Sequence, residues 1–164
     1  MDFIQPVIQV IYDSPIPTSI RESEWTFPII QTFHILGILL FYGAIGLVDL
    51  RIVGFVLKER PARDVADGLL PIAWVGFVVM AVSGGLLFAA QAAKIYTNLF
   101  LLTKFGLILL AGLNLVVFHR FAGRAIAIWG GEGRTTPAYA RVSAGLSFLL
   151  WTGVIVTGRF IAYF

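Results

Sequence analysis

The chain contains no cysteine. Disulfides, thiolate-bound metals, iron–sulfur clusters and covalent c-type haem attachment are therefore excluded within it. Histidine is almost as scarce, with only His34 and His119, so any metal or haem depends on these two, on carboxylates or on partner chains. The two methionines, Met1 and Met80, make a poor copper(I) route, because that ion selects soft sulfur ligands. Charged residues make up 13% of the 164, against about a quarter in a typical soluble domain, which points to an integral membrane protein. The few residues outside the apolar runs leave no room for a separate soluble domain. The formal charge of +3 gives no case for nucleic acid, because the basic residues sit beside apolar runs and form no stripe. GxSxG, HExxH, P-loop and post-strand GxGxxG motifs are all missing, so no catalytic residue can be named.

What the chain has in abundance is apolar sequence, 59% of its residues with a mean hydropathy of +0.90. Between Phe27 and Val48 lie 22 residues without a formal charge, enough to cover roughly 30 Å of hydrocarbon as a helix. Leu69–Ala90, Asn98–Phe118 and Val142–Phe164 form three further runs, the last two interrupted only by Lys104 and Arg159. Trp25, Trp74, Tyr96 and Tyr163 fall near the ends, as an aromatic belt does. The expectation is an all-α integral membrane four-helix bundle of up-down topology over residues 25–164, preceded by an interfacial segment over residues 1–24.

In that segment Phe3, Ile4, Val7, Ile8 and Ile11 recur at helical spacing and predict a short amphipathic helix. Pro15 and Pro17 are expected to break it, and Ser19 with Glu22 has capping-box spacing for a new helix. Pro28 opens or kinks span one, and Pro71 falls in the first turn of span two. With no basic n-region or small-residue cleavage site, MDFIQPVIQVIYDSP reads as no cleavable signal peptide, leaving span one as the insertion signal. Ala81, Gly85 and Ala89 form a small-residue row for helix packing, and Gly43 and Gly46 thin span one. Gly130–Pro137, GGEGRTTP, reads as a flexible loop.

The loops flanking the basic side hold Arg51, Lys58, Arg60, Arg63, Arg120, Arg124, Arg134 and Arg141, against Arg21, Lys94, Lys104 and Arg159 opposite. The bias predicts cytoplasmic loops after spans one and three, with both termini periplasmic. On this topology His34, Lys104, Arg159 and Gln91 all sit in the outer third of the bilayer. Two cations and a histidine at one depth suit haem propionates, a quinone oxygen or a carboxylate, with Gly37 leaving space for a flat ring. The plainer alternative is that the cations snorkel to headgroups while His34 bonds a backbone carbonyl. A second cluster, Asp49, Arg51, Asn114 and His119, lies toward the cytoplasm, where Asp49 is expected to pair with Arg120, Arg124 or His119. His34 and His119 stand roughly 20 Å or more apart along the membrane normal, too far to ligate one haem from both sides.

IRESEWTFPIIQTFHILG (Ile20–Gly37), VDLRIVG (Val48–Gly54), LFAAQAAKIYTNLFLLTK (Leu87–Lys104), AGLNLVVFH (Ala111–His119) and TGRFIAYF (Thr157–Phe164) resemble a family of small four-span bacterial inner-membrane proteins. That family carries a domain-of-unknown-function label, so the resemblance implies fold and location without an activity. More loosely, the spans are similar to copper-resistance membrane protein D and to b-type cytochrome subunits. The leading expectation is a non-catalytic membrane subunit of a redox or respiratory assembly, binding haem b or quinone at His34, Gly37, Lys104, Arg159 and Gln91. Either His34 or His119 would serve as the iron ligand of a haem. The rival is a cofactor-free structural or assembly subunit docking on other membrane subunits or on copies of itself. A metal-ion or small-solute permease is the third reading.

Overall fold

The computed structural model describes residues 4–121, 126 and 135–163. Among these, six helices form and no strand: α1 (Gln5–Tyr12), α2 (Pro15–Glu22), α3 (Thr26–Val53), α4 (Ala62–Ile95), α5 (Leu99–Phe121) and α6 (Ala138–Phe160). The last four are long and apolar enough to cross a membrane, and the chain is a multi-pass membrane protein. Expected loop residues 130–134 and the final residue 164 lie outside the described residues.

Local chemistry sets the helix ends. Gly54 closes α3 at φ +95°, a left-handed conformation that an L side chain resists, and its N–H bonds the Leu50 carbonyl at 3.0 Å. Arg51 then holds the following loop, donating to the carbonyls of Arg60 (2.7 Å) and Lys58 (3.4 Å). Asn98 caps α5, its Oδ1 accepting from the N–H groups of Phe100 (2.9 Å) and Leu101 (3.2 Å).

Two expected ends shift. α2 starts at Pro15, which takes the first helical position after Ser14, where a missing N–H costs nothing. Ser19 is therefore inside the helix, bonding back to the Ile16 carbonyl at 2.8 Å, and forms no capping box with Glu22. α4 starts at Ala62, so Pro71 falls within the helix and not in its first turn. Arg63, Asp64 and Asp67 support a helix without being apolar, and hydropathy alone does not see them.

α3 is central, packing against α4 on one side and α6 on the other, with α5 against α6. Phe41 fills the middle, edge-on to Trp151 of α6 at 4.6 Å and tilted on Phe77 of α4 at 5.7 Å. Toward the α3–α4 connection Val48, Ile52, Ala62, Val65, Ala66, Ala140 and Ala144 make an aliphatic core. We call that end of the bundle the lower end, and the end with the α4–α5 connection the upper.

The α3–α4 contact is close because glycines face it. A Cβ on Gly37 would stand 2.7 Å from the Met80 nitrogen, and one on Gly76 would run into the Phe41 nitrogen. The expected Ala81–Gly85–Ala89 row does not pack: Ala81 and Gly85 are exposed, and a Cβ on Gly85 meets nothing within 4 Å. α4 and α5, although consecutive, make little contact, meeting through Phe88 and Phe105 near their joined ends (5.9 Å). The bundle is open along that side. α1 and α2 fold back against α4, burying Ile8 and Ile20. Arg21 locks this arrangement by stacking 3.7 Å over the Tyr12 ring and donating to the Tyr12 carbonyl at 2.6 Å.

Candidate functional site

His34 sits on α3, two turns below its start, with its ring against α4. Nδ1 lies 3.0 Å from the Met80 carbonyl and 3.1 Å from Ser83 Oγ. A carbonyl only accepts, and Ser83 donates its own hydrogen to the Val79 carbonyl at 2.5 Å, so Nδ1 carries the ring proton. In the neutral ring Nε2 is then left with its lone pair free to accept. Gly84 makes the seat: a Cβ there would stand 2.8 Å from His34 Cε1.

Lys104 of α5 is half-buried in the same upper half of the bundle. Its tail passes over Gly158 of α6, where a Cβ would meet Nζ at 2.9 Å. Three helices therefore deliver the site, His34 from α3, Ser83 and Gly84 from α4, and Lys104 from α5, and α6 leaves the space. Near the upper end, between α1, α4 and α5, a cavity of about 200 Å³ is lined by Ile4, Ile8, Phe88, Tyr96, Leu101, Leu102 and Phe105.

The other expected members stand apart. Arg159 is exposed and turns along its own helix, donating to the Tyr163 hydroxyl at 2.7 Å beside that ring. Gln91 is half-buried on α4, seven residues or roughly 10 Å beyond Gly84. The space beside Gly37 is filled by the α4 backbone and is not open to a ring.

The lower cluster also separates. Asp49 is buried between α3 and α6 within hydrogen-bonding reach of Ser147, and pairs with neither His119 nor Arg120. Its other expected partner, Arg124, lies outside the described residues. His119 bonds the Leu115 carbonyl of its own helix at 3.2 Å. Asn114 joins α5 to α6 twice, donating to the Ser143 carbonyl (3.0 Å) and accepting from the Ser143 hydroxyl (2.9 Å). Higher on the α3–α6 seam, Tyr42 donates to Thr152 Oγ1 at 2.7 Å, whose own hydrogen goes to the Phe148 carbonyl. No group of three or more His, Cys, Asp or Glu that could hold a metal occurs among the described residues.

The family of unknown function DUF6644 matches residues 25–164. The chain belongs to this family. For this DUF6644 member, comparison with curated proteins and with solved structures gives no match. The looser likeness to copper-resistance and cytochrome proteins finds no support there. Membership covers all four spans and leaves the chemistry to be argued from the site.

Proposed function

We propose that the chain is a non-catalytic membrane subunit of a redox assembly that binds a lipid-borne quinone at His34 and Lys104. The observation that supports this is the fixed tautomer of His34, which leaves Nε2 an acceptor in the same half of the bundle as the Lys104 ammonium. A quinone presents carbonyl oxygens that accept from Lys104, and its reduced form presents hydroxyls that donate to Nε2. The sparse α4–α5 contact gives such a ligand a lateral way in from the bilayer, and Phe88, Leu101 and Phe105 suit an isoprenoid tail. Haem b is the other ligand compatible with Nε2, since metal-bound histidines commonly donate their second nitrogen to a carbonyl. The filled space beside Gly37 favours the smaller quinone ring. On the loop-charge bias we assign the chain to a bacterial inner membrane with the site in the periplasmic half.

Protein purified in mild detergent tests this by organic extraction and by spectra before and after dithionite. The expected result is copurifying quinone that is lost in His34→Ala. A reduced b-type spectrum that depends on His34 would replace quinone with haem. Neither ligand, in material from quinone- and haem-replete cells, would overturn the reading.

A second reading, a cofactor-free assembly subunit, is favoured by α5, most of whose apolar side chains, Leu109, Leu113 and Val116 among them, are exposed. Such a face suits a neighbouring subunit or a second copy as well as lipid. On this reading His34→Ala leaves a larger complex intact in native gels, while bulky residues on the outer face of α5 dissolve it.

A further inference from the structure

We propose that Asp49 is a proton-binding site inside the bundle, a carboxyl group between α3 and α6 that takes up and releases one proton while the fold persists. The inference does not rest on a ligand at His34. Asp49 is 7% exposed, and its Oδ2 is buried with no hydrogen-bond partner. Ser147 of α6 is within hydrogen-bonding reach. An oxygen placed this way is costly as half of a carboxylate, and taking up a proton removes the charge.

Among the described residues no cation pairs with it. On its own helix Arg51 is committed to the Lys58 and Arg60 carbonyls. On α4, Arg63 pairs with Asp67 at 3.5 Å, the ion pair found among the described residues, and Asp64 is exposed. On α5, His119 bonds its own helix and Arg120 is exposed, and on α6 Arg141 is exposed. Arg124, Glu132 and Arg134 lie outside the described residues.

The neighbouring polar groups give a proton somewhere to come from. Ser143 lies one turn below Ser147 and is doubly bonded to Asn114, so amide and hydroxyl groups run from Asp49 toward the lower end. Tyr42, two turns above Asp49 on the same face of α3, bonds Thr152. In the uptake step a hydronium ion from the lower end gives its proton to the carboxylate, forming an O–H bond and leaving water; release is the reverse. A metal cation is the poorer occupant. The aspartate and one serine hydroxyl fall well short of the six to eight oxygens that a hard ion such as calcium takes.

The full chain in lipid nanodiscs is treated with dicyclohexylcarbodiimide, which enters bilayers and reacts with protonated carboxyls, and adducts are mapped by mass spectrometry. An adduct on Asp49, with a yield that falls as pH rises and is indifferent to sodium, is expected. Protection by sodium at constant pH would overturn the proposal in favour of a metal-ion site. Infrared difference spectra in H2O and D2O cover the case in which the reagent fails to reach the group. A carboxylic-acid carbonyl band that titrates in wild type and is missing in Asp49→Asn is expected, and its absence from wild type overturns the proposal. Should Asp49→Asn fail to fold, Ser147→Ala must keep the band and move its midpoint. An unmoved midpoint counts against the site as drawn.

Discussion

Replacing Gly37 with alanine probes the contact on which the His34 seat depends. The new Cβ would lie 2.7 Å from the Met80 nitrogen, whereas ordinary contact begins at 3.4 Å. α3 and α4 must then separate by about 0.7 Å, which forfeits a quarter to a half of the dispersion energy of each contact that opens. The same movement stretches the 3.0 Å bond from His34 to the Met80 carbonyl to about 3.7 Å, past its useful range. Overpacking costs about 1–3 kcal/mol, and the weakened hydrogen bond adds about 1 kcal/mol. Alanine's better helix propensity returns about 1 kcal/mol, for a net loss of about 1–3 kcal/mol. Gly85→Ala and Gly43→Ala carry the same propensity gain with nothing within 4 Å, so they should be neutral or slightly stabilising. Equilibrium unfolding in mixed micelles of rising dodecyl sulfate fraction, followed by tryptophan fluorescence and circular dichroism, reads all three. A Gly85→Ala loss as large as that of Gly37→Ala would refute the assignment of the tight face.

Asn114→Ala removes both bonds to Ser143 and should cost about 0.6–1.7 kcal/mol in the same assay, while Tyr42→Phe, losing one bond to Thr152, costs about 0.6 kcal/mol. Gly158→Ala crowds only the flexible tip of Lys104, so stability should stay within about 0.5 kcal/mol while quinone retention on purification drops. The chain lacks native cysteine, so single cysteines report topology cleanly. An impermeant maleimide added to spheroplasts should label Thr97→Cys and spare Thr135→Cys, and the reverse pattern would invert the orientation.

The four spans were legible because runs of about 20 apolar residues have few other physical uses. Their ends were less so, since hydropathy reports hydrocarbon and not helix. Ala62 begins α4 seven residues before the apolar run, within a charged but helix-compatible segment. The small residues of α4 were visible, but their rotation was not. Gly76 and Gly84 and the Ala81–Gly85–Ala89 row are both helically spaced, and only packing against α3 chooses between them. His34 and Lys104 were legible as ionisable groups inside spans. The group that sets the histidine tautomer is the Met80 backbone carbonyl, which any residue type would supply and no sequence pattern reports. Asp49 invited a charged partner by its type, and the side chain within hydrogen-bonding reach is a serine of α6.

Quinone binding by the purified chain in nanodiscs, read by quenching of its tryptophan fluorescence, tests the His34–Lys104 site most directly. Saturable binding in wild type is expected, weakened about 10- to 100-fold in Lys104→Ala, the loss that one charge-assisted hydrogen bond of about 1.5–3 kcal/mol implies. His34→Ala should weaken it too, while Arg159→Ala, whose guanidinium turns to Tyr163, should leave it unchanged. Equal, unsaturable quenching in all four proteins would mean that quinone only partitions into the surrounding lipid, and would contradict the site.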